Sequence, residues 1–190
     1  LSSFRKPPRF RRRKQLTGAG SGKVEKTGGN INFLAESSLG KLCKWLRILG
    51  FDTIYDRSIP GRHLFEIAEE QKRILLTRTN LLREKNPGER LIFIRHTAPW
   101  NQLKQVISDA NITENDTRPF TRCIRCNVFL QKVNKTEIYG VVPEYIYRTH
   151  RSFHRCPECL RIYWPGSHIQ RTLFALSDLF NSQSGKFNSE

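Results

Sequence analysis

The sequence has no long hydrophobic run. None of its apolar stretches approaches the ~20 residues that a transmembrane helix needs. None of its Lys/Arg-rich segments doubles as an amphipathic helix with bulky apolar anchors, which disfavours binding to a membrane surface. We therefore expect a protein that is soluble or part of an assembly and has no membrane partner.

Acidic residues are scarce. The 190 residues include 17 Asp and Glu against 33 Lys and Arg, which gives a formal net charge of +16 and a pI of about 10.2. Such a charge is typical of proteins that neutralise a polyanion. Nucleic acid is the leading candidate, because each neutralised phosphate releases condensed counterions.

Methionine is absent, even from position 1. The sequence is therefore expected either to begin after proteolytic processing or to be incomplete. In the first case, removal of an organellar transit peptide is one route to this N-terminus.

Carboxylates are nearly missing from residues 1–30, where Glu25 is the single acid. Two prolines and several glycines oppose regular structure there, so we predict an extended basic arm whose partner is RNA. A disordered, solvated tail is the alternative. The candidate RNA-binding residues of the arm are Arg5, Arg9, Arg11, Arg12, Arg13 and Lys14.

Residues 31–52 predict a strand, a turn and an amphipathic helix. A short apolar run ends just before Glu36, and five apolar residues then recur at the spacing of one helical face. They are Leu39, Leu42, Cys43, Leu46 and Leu49. Ser37 or Ser38 is expected to cap the helix, and Gly50 to end it in the left-handed conformation. Cys43 is predicted to be a small buried core residue.

Strands and helices alternate after this segment. Strands are predicted over residues 51–55, 73–77 and 91–94, with one helix after the first of them and another beginning at Pro99. The inward-facing residues of these helices are Leu64, Ile67 and Ala68, and Trp100, Leu103, Val106 and Ile107. This alternation predicts an α/β domain over residues 31–115, with a mostly parallel sheet covered on both faces.

Four of the five cysteines form two C-x-x-C pairs. The pairs are Cys123 with Cys126 and Cys156 with Cys159. Four thiolates at this spacing predict a structural Zn²⁺ site that holds together a small zinc ribbon, over residues 116–172. Disulfide-prone pairs in a secreted protein are the alternative. Tyr163 and Trp164 are expected in the ribbon core rather than on a base-stacking surface.

Residues 173–190 combine an apolar patch with a polar tail. The patch predicts a C-terminal helix that docks on a neighbour. Its residues are Leu173, Phe174, Leu176, Leu179 and Phe180.

Three motifs carry information together: FLAESSLGKLCKWLRILGFDT, RILLTRTNLL, and the cysteine pairs followed by Tyr163, Trp164, Gly166 and His168. Together they resemble the Mut-seven C-terminal ribonuclease family, in which a PIN-like nuclease domain precedes a zinc ribbon. The resemblance covers about residues 32–172. It implies a three-layer α/β fold and a metal-dependent ribonuclease, in which carboxylates at the strand ends hold Mg²⁺ or Mn²⁺ against the scissile phosphate.

The sequence departs from the family pattern at the expected acids. Glu36 stands where the family has Asp, positions 60–63 carry no carboxylate, and Thr79 replaces an Asp after the third strand. Two of three acids are therefore missing, and Glu36 is a vestigial catalytic candidate. Asp52 and Glu66 are expected to lie away from the site.

The predicted strand ends are rich in cations even when the family is set aside. Glu36 and Asp56 are the acids there, against Arg57, Arg62, Arg78, Arg95 and His96. Such a face repels a divalent cation and attracts phosphate.

Our first hypothesis is a non-catalytic, RNA-binding structural component of a large ribonucleoprotein. An organellar ribosome, mitochondrial first, is the specific expectation, with rRNA and neighbouring ribonucleoprotein proteins as partners. The alternative localisation is another organelle, the nucleus or the cytoplasm, again within a ribonucleoprotein. Beyond the arm, the candidate RNA-binding residues are Lys41, Lys44, Arg47, Arg62 and Arg78, the first three on the more exposed positions of the first helix.

Two alternatives stay open. One is an active ribonuclease in RNA processing or decay, with Glu36 and Asp56 or an unrecognised acid holding Mg²⁺ or Mn²⁺. The other is a DNA-binding regulator that uses the ribbon, although the sequence lacks a convincing recognition helix with Arg, Asn or Gln aimed outward.

Overall fold

The computed structural model describes residues 31–85 and 90–166, together with positions 174, 175, 177 and 180. The predicted basic arm, with its six candidate RNA-binding residues, lies outside this part of the chain, as does most of the predicted C-terminal helix. Within the described part, no helix is long and apolar enough to cross a membrane.

The first part of the chain is an α/β fold. Its strands are β1 (Asn32–Ala35), β2 (Asp52–Tyr55), β3 (Ile74–Thr77) and β4 (Leu91–Phe93), and its helices are α1 (Gly40–Ile48), α2 (Gly61–Glu70), α3 (Asn80–Lys85) and α4 (Pro99–Asp109). The strands are all parallel, in the order β2-β1-β3-β4. The predicted parallel sheet is confirmed, whereas α3 was not predicted.

Helices cover both faces of the sheet because alternate strand residues point to opposite sides. Phe33 and Leu76 pack with α1 and α4, while Leu34 and Leu75 pack with α2 and α3. All four residues of β3 are buried, as expected for a central strand in a parallel sheet. The structure is therefore three-layered, with two hydrophobic cores.

The expected cap of the first helix is wrong. Ser37–Leu39 forms a 3₁₀ turn, and α1 begins at Gly40 without a side-chain capping bond. The Ser38 hydroxyl instead donates to Glu36 Oε1 at 2.5 Å. A hydrogen bond to an ionised carboxylate is stronger than the neutral bond that Ser38 would make with a backbone N–H as a helix cap. The predicted left-handed end is confirmed, because Gly50 has φ +93°.

A small antiparallel sheet follows, with strands β5 (Gln131–Val133), β6 (Phe153–Arg155) and β7 (Ile162–Tyr163) in that order. The segment between β5 and β6 does not extend this sheet, because it contains a 3₁₀ turn (Lys135–Ile138) and helix α5 (Glu144–Thr149). This segment covers one face of the sheet, because Ile138 and Val142 are buried against Phe153. Trp164 packs against the same cluster, as predicted.

The second part is docked on the first through the end of α1 and the outer edge of β2. The backbone N–H groups of Arg118 and Phe120 donate to the carbonyls of Leu49 and Ile48 at 2.8 and 2.9 Å. The approach is so close that a Cβ on Gly50 would lie 2.2 Å from the Arg118 carbonyl oxygen. Phe180, from the predicted C-terminal helix, is buried in the core between the sheet and helices α1 and α4.

Candidate functional site

A cleft of about 580 Å³ opens at the carboxyl ends of β1 and β3. This is the end of a parallel sheet at which ligands collect. Apolar side chains of α2 and α3 form much of its walls, among them Phe65 and Leu81. The polar residues that line it are Glu36, Ser37, Ser38, Arg62, Glu66 and Thr79.

Glu36 is the most enclosed carboxylate of the cleft, with 8% of the residue exposed. Its Oε2 accepts hydrogen bonds from the hydroxyls of Thr77 and Thr79, the latter at 3.0 Å, and its Oε1 accepts the bond from Ser38. Burial opposes ionisation, but these bonds and one from the backbone N–H of Arg78 outweigh it and hold the pKa of Glu36 below its ordinary value. Glu36 is therefore an ionised carboxylate whose oxygens already have donors.

The other predicted acids occupy different places. Asp56 accepts bonds from the backbone N–H and hydroxyl of Ser58 at 2.8 and 2.7 Å, so it closes a turn and does not line the cleft. Asp52 lies at the opposite end of the sheet, paired with Arg73 at 2.8 Å, as expected. The expectation that Glu66 lies away from the site is wrong, because Glu66 is on the face of α2 that lines the cleft.

Five of the cations predicted to meet RNA lie in the described part of the chain, and four of them are accessible. Lys41 and Lys44 are exposed on α1, Arg62 is exposed on the cleft, and Arg78 is exposed just after β3. The prediction that Arg47 is exposed is wrong, because only 7% of it is accessible. Arg47 is on the same helix, but its side chain points toward the second part of the chain.

The buried guanidinium of Arg47 joins the two parts of the protein. Its Nε and Nη2 donate to the Thr53 carbonyl at 3.0 and 2.8 Å, and its Nη1 donates to the carbonyls of Ile124 and Arg125 at 3.0 and 2.8 Å. Asn127 adds to this contact, since its Oδ1 accepts the backbone N–H of Thr53 at 3.1 Å. Neither role was predicted, because each side chain bonds to backbone groups in the other part of the protein, more than 70 residues away in sequence.

The four predicted cysteine ligands are brought together. Their sulfur atoms all lie within 4.8 Å of one another. The Sγ atoms of Cys123 and Cys159 are 3.7 Å apart, close to the ~3.8 Å separation that follows from tetrahedral geometry with Zn–S bonds of ~2.3 Å. No cysteine in the described part of the chain forms a disulfide. The cysteines therefore form a site suited to a metal ion such as zinc.

Backbone groups support this thiolate set. The N–H of Cys126 donates to Cys123 Sγ at 3.3 Å, and the N–H of Cys159 donates to Cys156 Sγ at 3.4 Å. The Tyr163 hydroxyl lies 3.1 Å from Cys123 Sγ, which places this residue inside the ribbon, as predicted. Donors of this kind stabilise sulfur in its anionic, ligating form.

The family model described as the Mut7-C RNAse domain matches residues 31–175, which span both the cleft and the cysteine site. The chain belongs to this family. No curated protein and no solved structure matches the chain. The predicted resemblance is thus confirmed over nearly the extent that the motifs indicated.

Membership of the Mut7-C family implies a divalent cation at the cleft, and the donor set there does not fit one. Glu36 contributes one carboxylate, but Ser38, Thr77 and Thr79 already donate to its oxygens. Glu66 lines the same cleft, yet its carboxylate pairs with His63 at 3.1 Å on the exposed surface of α2. Within the described residues, the four cysteines are the only group of three or more His, Cys, Asp or Glu whose ligand atoms converge.

The structure nevertheless places the family's acid positions together. Glu36 and Thr79 come from different strand ends and meet at hydrogen-bond distance, and Gly61 lies on the same cleft. At position 79, where the family has an acid, the neutral hydroxyl of Thr79 donates to the Glu36 carboxylate.

Proposed function

We propose that this Mut7-C protein binds RNA without cutting it. The observation that carries the proposal is the hydrogen bonding of Glu36, whose carboxylate is satisfied by hydroxyls, including that of Thr79 at an expected acid position. A hard divalent cation needs clustered oxygen ligands that are free to bind it. Glu36 therefore acts as a structural anion that ties the ends of β1 and β3.

The charge distribution supports RNA as the partner. The chain carries a net charge of +16, and Lys41, Lys44, Arg62 and Arg78 are exposed. Cations of this kind attract the phosphate backbone whatever its sequence. Replacing these four by Gln should weaken binding and flatten its salt dependence, by about 0.7 in the logarithmic slope for each lost contact to single-stranded RNA. Lys72→Gln is the control, because Lys72 is exposed just beyond the far end of α2.

Cleavage is the decisive assay. End-labelled single-stranded RNA is incubated with the full chain and Mg²⁺ or Mn²⁺, beside Glu36→Gln as the control. We expect both proteins to bind the RNA and neither to cut it. Cleavage that requires the divalent ion and disappears in Glu36→Gln would overturn the proposal.

That outcome would establish the second candidate function, a metal-dependent ribonuclease. Two observations favour it: Glu36 stays ionised, and Glu66 lines the same cleft. Loss of cleavage in Glu66→Gln as well as Glu36→Gln would identify both as ligands. Asp56→Asn should have no effect on activity, since its carboxylate closes a turn outside the cleft.

We further propose that the cysteine site holds zinc and that the protein works within a ribonucleoprotein, an organellar ribosome being the most specific form. The four converging sulfurs support zinc, while the ribosomal and mitochondrial proposals rest on the composition and the basic arm. Sedimentation of cell extracts tests the proposed place in a mitochondrial ribosome. Co-migration with mitochondrial ribosomal subunits that survives high salt would support it, and free sedimentation at low salt would refute it.

A further inference from the structure

The ribbon exposes aromatic rings that its core does not use. Five large hydrophobic residues in this part are exposed: Phe129, Tyr139, Val141, Tyr145 and Leu160. Tyr139 is the most accessible, with 77% of its surface exposed. Solvent-exposed rings beside cations are the usual means by which proteins stack unpaired nucleic-acid bases.

Tyr139 belongs to a connected cluster that we name the Tyr139 platform, made of Lys135, Tyr139, Tyr147 and Arg155. The rings of Tyr139 and Tyr147 are 5.4 Å apart and meet edge to face. The Lys135 ammonium lies 4.7 Å from the centre of the Tyr147 ring. Arg155 donates to the carbonyl of Glu137, two residues before Tyr139, at 3.3 Å.

A buried neighbour and a capped turn hold the backbone of the platform at Tyr139. Ile138, the residue before Tyr139, is fully buried in the ribbon core. A capping box fixes the preceding turn, since the Asn134 backbone N–H donates to Glu137 Oε1 at 3.0 Å. On the other side, Gly140 has open space around it. The backbone that carries the exposed ring is therefore held in place before a ligand arrives, which lowers the entropy lost on binding.

The charge around the platform suits a polyanion. Lys135 and Arg155 provide two cations, and the capping bond turns the nearby Glu137 carboxylate back onto the chain. We propose that the Tyr139 platform binds single-stranded RNA, with one unpaired base stacked on the Tyr139 ring and the flanking phosphates approached by Lys135 and Arg155. This inference rests on the proposed RNA-binding function and names the form of RNA that is bound.

Duplex RNA is a poor partner for such a site, because its bases are already stacked and its major groove is too narrow for side chains. The platform therefore predicts a preference for single strands. It also predicts that the Tyr139 contribution is independent of salt, since stacking releases no counterions, whereas the contribution of Lys135 depends on salt.

The test measures fluorescence anisotropy of a labelled 12-nucleotide mixed-sequence RNA, single-stranded or as a blunt duplex, with the zinc-loaded full chain. Tyr139→Ala should raise the Kd for the single strand about 5- to 150-fold, with an unchanged salt slope. Tyr139→Phe should bind nearly as the parent does. Tyr145→Ala is the matched control, because Tyr145 is 72% exposed and about 200° around α5 from Tyr147, and it should leave the Kd unchanged.

Several results separate this inference from the proposed function. If the parent binds neither form of RNA, the proposed function fails. If the parent binds single strands and Tyr139→Ala binds them equally well, only the platform is refuted. An equal loss for Tyr139→Phe and Tyr139→Ala would refute stacking. An unchanged RNA affinity together with the loss of a defined protein complex would assign the surface to a protein partner instead.

Discussion

Replacing Arg47 by Met is the sharpest test of how the two parts of the protein are joined. The side chain is only 7% exposed and donates four hydrogen bonds to three carbonyls. Met keeps the apolar stem and removes every donor. The bonds to the Thr53 carbonyl are buried, and those to the Ile124 and Arg125 carbonyls are part-buried. A buried carbonyl left without a partner costs about 1 kcal/mol or more and a partly solvated one costs less, so the three together cost about 2 to 3 kcal/mol.

Part of this cost is offset in the variant. Burial of the guanidinium lowers the pKa of Arg47, which shows that its positive charge is held at an energetic disadvantage. Removing the charge relieves that penalty. We therefore expect a net destabilisation of about 1 to 2 kcal/mol, which is about 5- to 30-fold in the unfolding equilibrium.

The assay is urea unfolding of the zinc-loaded and chelator-treated protein. Ile124 and Arg125, whose carbonyls bind Arg47, lie between the ligands Cys123 and Cys126, so Arg47→Met should also lower zinc affinity in competition with a chromogenic chelator. The loss of stability should shrink once zinc is removed, because the carbonyls are then no longer held in position.

Two control variants complete the test. Lys44→Met changes an exposed residue of the same helix and should alter neither stability nor zinc affinity. Arg47→Lys keeps the charge but cannot reach all three carbonyls, so it should fall between Met and the parent. An Arg47→Met protein that unfolds at the parent's urea concentration and binds zinc equally well would refute the coupling.

Four further changes have defined outcomes. Glu36→Gln should destabilise the protein at neutral pH and weaken the loss of stability on acidification. Since the folded-state pKa lies below the ordinary value of 4.5, the contribution of Glu36 is present above pH 4.5 and lost as the pH falls through the folded-state pKa, which acid unfolding measures. Thr79→Asp should lower the melting temperature by like-charge repulsion with Glu36, and Mn²⁺ should restore it if the cleft can still form a metal site. Gly50→Ala should cost at least about 2 kcal/mol in urea unfolding, because φ is +93° and the new Cβ would meet the Arg118 carbonyl. Cys43 should resist iodoacetamide in the native protein, because burial raises its thiol pKa to about 12.

Periodic segments were predictable from the sequence. The predicted strands at 51–55, 73–77 and 91–94 agree with β2, β3 and β4 to within one residue at each end. The helix expected from Pro99 is α4, with Leu103, Val106 and Ile107 buried. These elements are long or apolar enough for one face to dominate the pattern.

Short elements escaped prediction. Helix α3 has six residues and buries Leu82, which is too little for a helical period to be recognised. Residues 137–147 are rich in β-branched and aromatic residues, which are typical of strands. Packing of Ile138 and Val142 on Phe153, with Pro143 just before α5, decided the conformation instead.

The site was partly predictable. Parallel strands bring their carboxyl ends to one edge, so the meeting of Glu36 and Thr79 followed from the topology. The burial of Arg47 was not predictable, because Arg is normally exposed and two of its partners lie 77 and 78 residues away. The orientation of Glu66 depended on the rotation of α2, which sequence spacing alone does not fix.

Strand β2 forms one edge of the four-stranded sheet. The outward N–H and C=O of an edge strand are a template for pairing with another chain, and the pair on Thr53 is occupied by Asn127 and Arg47. One side chain from each part of the protein thus shields this position of the edge against pairing with another chain. Docking of the second part therefore contributes to solubility as well as to folding.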